Sequence, residues 1–177
     1  PDFGIDGCPP GYYISPLVIR ADDTRSTVDE FRSARFAYNQ THSQSGFAAA
    51  HNHLGRHGWW FDKLLHTGQH LESARSVAEG RADIASLDAV SWRLMEAYES
   101  FATELRVLEW TKPTPGLPLI TAKGNDADAI FAAVERAIHQ LTATDRAILG
   151  LVGLVRIPAE DYLAIPNPPE SAGVPAA

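Results

Sequence analysis

Short apolar, β-rich runs alternate with helical periods along most of the chain. After an opening rich in Gly and Pro, YYISPLVIR (12–20) is aromatic, β-branched and mostly apolar, the pattern of a buried strand. Ser26 and Asp29 carry capping-box spacing and predict a short helix ending near Ser33. RFAYN (35–39) reads as the next strand, and it runs through THSQSG (41–46) into an Ala-rich helix from Ser45 to His57, stopped by Gly58. DKLLHTG (62–68) reads as a short strand or extended stretch. HLESARSVAEG (70–80) is helical, with Leu71, Ala74, Val77 and Ala78 on one face and Gly80 as its stop. ADIASLD (82–88) alternates as a strand and AVSWRLMEAYESF (89–101) as a helix. LRVLEW (105–110) and LPLITA (117–122) are strands joined by the Pro-rich turn TKPTPG. Helices follow at DADAIFAAVERAIHQL (126–141), around Asp145–Leu151 and after Pro158. This alternation predicts an α/β fold with a largely parallel sheet.

A chain of 177 residues fits one domain or two small lobes. Hydrophobic residues at 45% and charged residues at 21% describe a globular protein rather than a disordered one. Its 15 Lys and Arg against 22 Asp and Glu give a net charge of −7, which argues against a nucleic-acid partner and leaves room for a local cationic pocket. No apolar run approaches the roughly 18 residues of a membrane span. Cys8 is the one cysteine, so neither an intrachain disulfide nor a CxxC zinc site can form. The apolar stretch that should precede a lipidated cysteine is absent before Cys8. The opening on Pro1 fits either a removed export signal or a start inside a longer protein. The ending IPNPPESAGVPAA reads as a loose end.

Three segments could carry chemistry. THSQSG joins a strand to a helix, where unpaired backbone N–H groups and the helix dipole favour an anion. There Ser43 and Ser45 add hydroxyl donors, and Gly46 lets a ligand approach the backbone. A serine that only caps its own helix explains the segment equally well. HTGQHLES repeats the strand-to-helix pattern, with His70 either a donor to the same anion or an exposed N-terminal residue. Asp88 ends a third strand just before a helix, as a ligand contact or as a plain N-cap. All three fall outside the carboxyl ends of strands, where open α/β sheets bind ligands.

Other chemistries are less well supported. His51, His53 and His57 cluster, but no HExxH pattern is present, and a solvated polar face accounts for them better than a metal. Ser45, His70 and Asp88 could form a hydrolase triad, yet GxSxG is absent. Trp59 and Trp60 read as packing residues rather than a stacking platform.

The order PGYYISPLVIRADD, FAYNQTHSQSGF, TGQHLESARSVAEGRADIASLDAVSW and LRVLEWTKPTPGLPLITAKG resembles the solute-binding component of phosphate/phosphonate ABC importers, a type II periplasmic binding protein family. The resemblance runs from about Pro10 to Tyr162 and rests on the SxSGF loop, the GxH turn and the GxxD strand that ends in an acid. It implies two α/β lobes joined by crossing strands, with the ligand held between them. It also implies that Ser43, Gln44, Ser45 and Gly46, together with His70, contact a phosphate or phosphonate group, leaving Asp88 as the nearby acid. The resemblance implies no cofactor, an ABC permease as partner and an extracytoplasmic, periplasmic location. A sensory or regulatory ligand-binding domain of the same fold is the alternative, with an enzyme third.

The corresponding domain scheme is an opening segment and hinge strand over 1–22 and an α/β lobe over 23–104. The return strand and C-terminal helices of another lobe occupy 105–165, and a flexible tail 166–177. Relatives begin with a further βαβα segment, so the chain reads as one lobe plus part of a second. Apolar surface that such a segment would cover predicts self-association.

Overall fold

Among residues 1–173, which a computed structural model describes, every apolar run named above except one becomes a strand. The strands are β1 (Tyr12–Tyr13), β2 (Pro16–Arg20), β3 (Arg35–Tyr38), β4 (Lys63–His66), β5 (Ile84–Ser86), β6 (Leu105–Trp110) and β7 (Thr114–Pro115). The α-helices are α1 (Ala49–Leu54), α2 (His70–Ala78), α3 (Ala89–Tyr98), α4 (Ala127–Gln140), α5 (Ala143–Leu149) and α6 (Ala159–Leu163). They form two units, one of Pro1–Tyr13 with Pro113–Ile165, the other of Ile14–Lys112 with the segment from Pro166 onward.

The larger unit is a five-stranded sheet in the order β4-β3-β5-β2-β6. Strands β3, β4 and β5 pair in parallel, because each is followed by a helical crossover that returns the chain to the same end. Strand β2 is antiparallel to both β5 and β6, so it alone runs against the other four. The largely parallel sheet expected from the alternation is therefore mixed. Strand order along the sequence does not reveal this, because the direction of β2 depends on where the chain enters the unit.

Both faces of the central strands are covered, which is why β2 and β3 read as nearly continuous apolar runs. Leu17, Ile19, Phe36, Tyr38 and Ile84 point to one face and meet Phe31, Phe47, Leu54 and Phe61. Val18, Ala37 and Ala85 point to the other, where they meet Ala74 and Val77 of α2 and Trp92 and Met95 of α3. The small side chains of Ala37 and Ala85 let α2 lie close to the sheet beneath the site described below.

Three local expectations change. YYISPLVIR divides into β1 and β2, with Pro16 at the first position of β2, where a missing N–H is tolerated. The helix expected over 45–57 is continuous but changes pitch, from a π turn at Gln44–Ala48 through α1 to a 3-10 turn at Gly55–His57. Gly58 ends it with φ of 77°. LPLITA forms no strand. The ladder of β1 and β7 stops at the bond from Gly116 N–H to the Gly11 carbonyl, Pro118 has no N–H to give, and Leu117, Leu119 and Ile120 are exposed.

Residues 166–177 were expected as a flexible tail. As far as Gly173 they are held on the larger unit, where Asn52 Nδ2 donates to the Pro166 carbonyl (2.8 Å) and Trp60 Nε1 to that of Ala172 (2.9 Å). Residues 174–177 lie outside the described part. Trp60→Phe keeps the ring against Phe36 and Phe47 and removes one hydrogen bond. It is expected to cost about 0.5–1.5 kcal/mol in urea unfolding. An unchanged midpoint would show that the bond to Ala172 adds nothing to this unit.

Candidate functional site

The carboxyl ends of β3, β4 and β5 meet one edge of the larger sheet, and the segments leaving them build the site. Ser43 caps the helical turn that follows β3: its backbone is extended (φ −75°, ψ 124°) and its Oγ accepts the Gly46 N–H at 3.1 Å. That bond uses a lone pair and leaves the hydroxyl hydrogen for another acceptor. The plain capping role and the donor role are thus compatible at Ser43. Two residues on, the backbone carbonyl of Ser45 accepts the Ser86 hydroxyl at 2.6 Å, which ties the loop to β5.

His70 opens α2 and brings the second segment to the first. Its Nε2 lies 3.0 Å from Ser45 Oγ and 3.5 Å from Asn39 Nδ2. Backbone bonds fix this approach, with Thr67 N–H donating to the Tyr38 carbonyl (2.9 Å) and Gly68 N–H to that of Asn39 (3.0 Å). Burial pushes the His70 imidazole below its ordinary value, and the nearby Asp88 carboxylate and Ser86 backbone oppose the shift only in part. The Ser86 backbone acts from outside good hydrogen-bond geometry, since Nδ1 has no partner. Around neutral pH the ring is the uncharged imidazole.

Asp88 caps α3, its Oδ1 accepting the Ser91 N–H at 2.8 Å. It acts on His70 through its charge. Ser43, Gln44, Ser45, Gly46, His70 and Asp88 therefore all lie on the segments at one edge. Within them the loop and His70 are joined directly, while Asp88 is engaged in its own cap.

The sequence reading missed Asn39, whose only local signal is its place at the end of RFAYN. The position where Gly46 would carry a Cβ is 1.9 Å from Asn39 Oδ1 and 3.0 Å from His70 Cε1. On that side the space left by Gly46 is taken by Asn39 and His70. Ser15 was also missed. It lies opposite Asp88 in the continued register of β2 and β5, and its backbone N–H donates to Thr111 Oγ1 at 2.9 Å.

Among the described residues, six buried side-chain polar atoms have no hydrogen-bond partner, and four of them gather here: Ser15 Oγ, Asn39 Oδ1, Gln44 Nε2 and His70 Nδ1. Buried polar atoms are nearly always bonded, so such a concentration marks a place that meets something more than its own chain. A cavity of about 270 Å³ in the smaller unit makes the contrast. It is lined mainly by Ile130, Phe131, Val134, Leu154 and Ile157, and its Arg156 is already paired with Asp128 at 2.7 Å. Thr121 and Tyr162 are the other polar side chains of its lining, whereas the sheet edge gathers four unpartnered polar atoms and is the better candidate.

The three clustered histidines have structural partners. His53 Nε2 meets Glu109 Oε2 at 2.9 Å, His57 Nδ1 meets Asp29 Oδ2 at 3.4 Å, and the ring of His51 packs against Trp60. Among the described residues no group of three or more His, Cys, Asp or Glu side chains could hold a metal. Trp59 and Trp60 pack in the aromatic cluster around Phe36 and Phe61.

A family model described as "ABC transporter, phosphonate, periplasmic substrate-binding protein" matches residues 6–162. Among curated proteins none matches. The fold is similar to that of XAC2383 from Xanthomonas citri bound to chloride ion, at TM-score 0.69 and 17% identity over 87% of this chain and 63% of that one. It is similar to a binding protein component of an ABC phosphonate transporter from Pseudomonas aeruginosa (TM-score 0.63, 18% identity, 78% of this chain and 49% of that). PhnD1 from Prochlorococcus marinus in complex with methylphosphonate gives TM-score 0.54 and 17% identity, over 59% of this chain and 43% of that one. The chain thus spans from under half to less than two thirds of the lengths of these proteins, which fits one lobe together with part of a second.

Proposed function

The chain belongs to the periplasmic substrate-binding proteins of phosphonate ABC transporters, and on that premise we propose that its larger unit captures a small phosphorus oxyanion, phosphate or a phosphonate, for import. Ser43, Gln44, Ser45, Gly46 and His70 contact the anion, and Asp88 stands beside them. The protein works outside the cytoplasm and delivers its ligand to an ABC permease. The observation that carries this reading is the gathering of unpartnered polar atoms of Gln44, His70, Asn39 and Ser15 at one sheet edge. The neighbours add support, since PhnD1 is seen with methylphosphonate.

Titration calorimetry with methylphosphonate and with inorganic phosphate tests the reading, and His70 makes it specific. Burial holds the imidazole neutral, whereas a bound dianion draws it toward imidazolium. Binding is therefore expected to take up a proton. Affinity strengthens as pH falls from 8, by at most about tenfold per pH unit for one linked proton. The gain stops at the second ionisation of the ligand itself, below which the free anion already carries the proton that binding would take up. His70→Gln keeps a donor and loses the linkage, so its profile is flatter. Equal proton uptake and equal affinity in both proteins from pH 6 to 8 would return His70 to an ordinary helix residue.

A further inference from the structure

The carboxamide of Asn39 sits between the two segments of the site without belonging to either. Its Nδ2 lies 3.5 Å from His70 Nε2, and Ser45 Oγ lies 3.0 Å from the same nitrogen. Its Oδ1 is buried without a partner against Gly46. We propose that Asn39 is a positioning residue of the anion site, a two-way partner that holds His70 in one tautomer when neutral and turns over to accept from it when the ring takes a proton. The proposal rests on the reading of this edge as an oxyanion site.

The hydrogen-bond inventory drives the inference. An amide nitrogen only donates, so while Nδ2 faces Nε2 that ring nitrogen must be an acceptor and the ring proton must sit on Nδ1. Imidazolium reverses the need, because both ring nitrogens then donate. Rotating the carboxamide by half a turn brings Oδ1 to Nε2–H, which gives the unpartnered oxygen a donor. The same atoms then serve both protonation states of His70. Aspartate at this position offers acceptors only, and leucine offers neither.

The other groups facing His70 are the Asp88 carboxylate at the start of α3, the Ser86 backbone of β5 and the Ser45 hydroxyl. Glu72, in the first turn of α2, is paired with Arg81. None of these can switch between donating and accepting at Nε2 except the Ser45 hydroxyl. Asn39 thus shares the exchange at Nε2 with the Ser45 hydroxyl.

The test follows the His70 ring by NMR in the 177-residue chain, with Asn39→Asp and Asn39→Leu beside the wild type, and measures methylphosphonate binding by calorimetry. Asn39→Asp is expected to raise the His70 midpoint by about one pH unit or more, because a carboxylate favours the charged ring. Proton uptake on adding methylphosphonate at pH 7.5 is expected to shrink in the same variant, whose His70 is already partly charged. Asn39→Leu is expected to weaken methylphosphonate about tenfold or more, as Nε2 loses its amide partner in both states and keeps only the Ser45 hydroxyl. A His70 midpoint in Asn39→Asp within about 0.3 units of wild type overturns the proposal. If Asn39→Leu does not fold, the near-isosteric aspartate variant decides alone. Wild type that binds neither methylphosphonate nor phosphate defeats the functional reading instead, and the NMR midpoints still decide the role of Asn39.

Discussion

The Ser43→Ala, Ser45→Ala double variant is expected to weaken methylphosphonate binding by about 2–4 kcal/mol, the loss of two hydrogen bonds to a charged partner. The two serines contribute differently. Ser45 Oγ lies against His70 Nε2, so removing it also frees the imidazole. Ser43 Oγ holds the Gly46 N–H, so its loss costs about 0.5–2 kcal/mol of stability as well. Ser43→Asn separates these effects, since asparagine keeps the cap but places no hydroxyl at the ligand. Calorimetry on the double variant gives the affinity and urea unfolding gives the stability. Unchanged affinity in the double variant would remove the loop from the site.

Gly46→Ala is expected to damage both stability and binding. The added Cβ would stand 1.9 Å from Asn39 Oδ1, 2.8 Å from Asn39 Cγ and 3.0 Å from His70 Cε1. Gly46 has no positive φ, so its backbone accepts alanine, and alanine in a helical turn is favoured by up to about 1 kcal/mol. Overpacking against a buried carboxamide costs about 1–3 kcal/mol, which outweighs that gain. Displacing Asn39 and His70 together should also lower affinity by tenfold or more, about 1.4 kcal/mol. Asn39→Ala in the same chain removes the obstacle, so the double variant should recover stability relative to Gly46→Ala. A thermodynamic cycle reads this coupling directly. Additive losses would mean that Gly46 is glycine for another reason.

Both expectations depend on contacts of different legibility. The cap at Ser43 joins residues three apart, and the Asp88 cap joins it to Ser91 over the same span. Such pairs follow from local backbone geometry, and the sequence pattern suggested both. The strands β2, β3 and β5 were legible because strands buried on both faces keep an apolar centre, as at 17–19, 36–38 and 84–85. LPLITA carries an apolar run too and forms no strand, because a run promises apolar side chains and not a partner ladder.

The sequence by itself determined the order of most strands and helices, that three strand-to-helix junctions carry Ser, His and Asp, and which family the chain resembles. Those features reside in short-range period, capping and residue order. Only the tertiary structure decided that β2 runs against its neighbours, that Ser45 meets His70 across 25 positions, and that Asn39 lies between Gly46 and His70. The parallel pairing of β3 with β4 and β5 produces these meetings by laying the carboxyl ends side by side. A side chain such as Asn39 has no periodicity to mark it, and it acquires its role from the space that Gly46 leaves and the nitrogen that His70 presents.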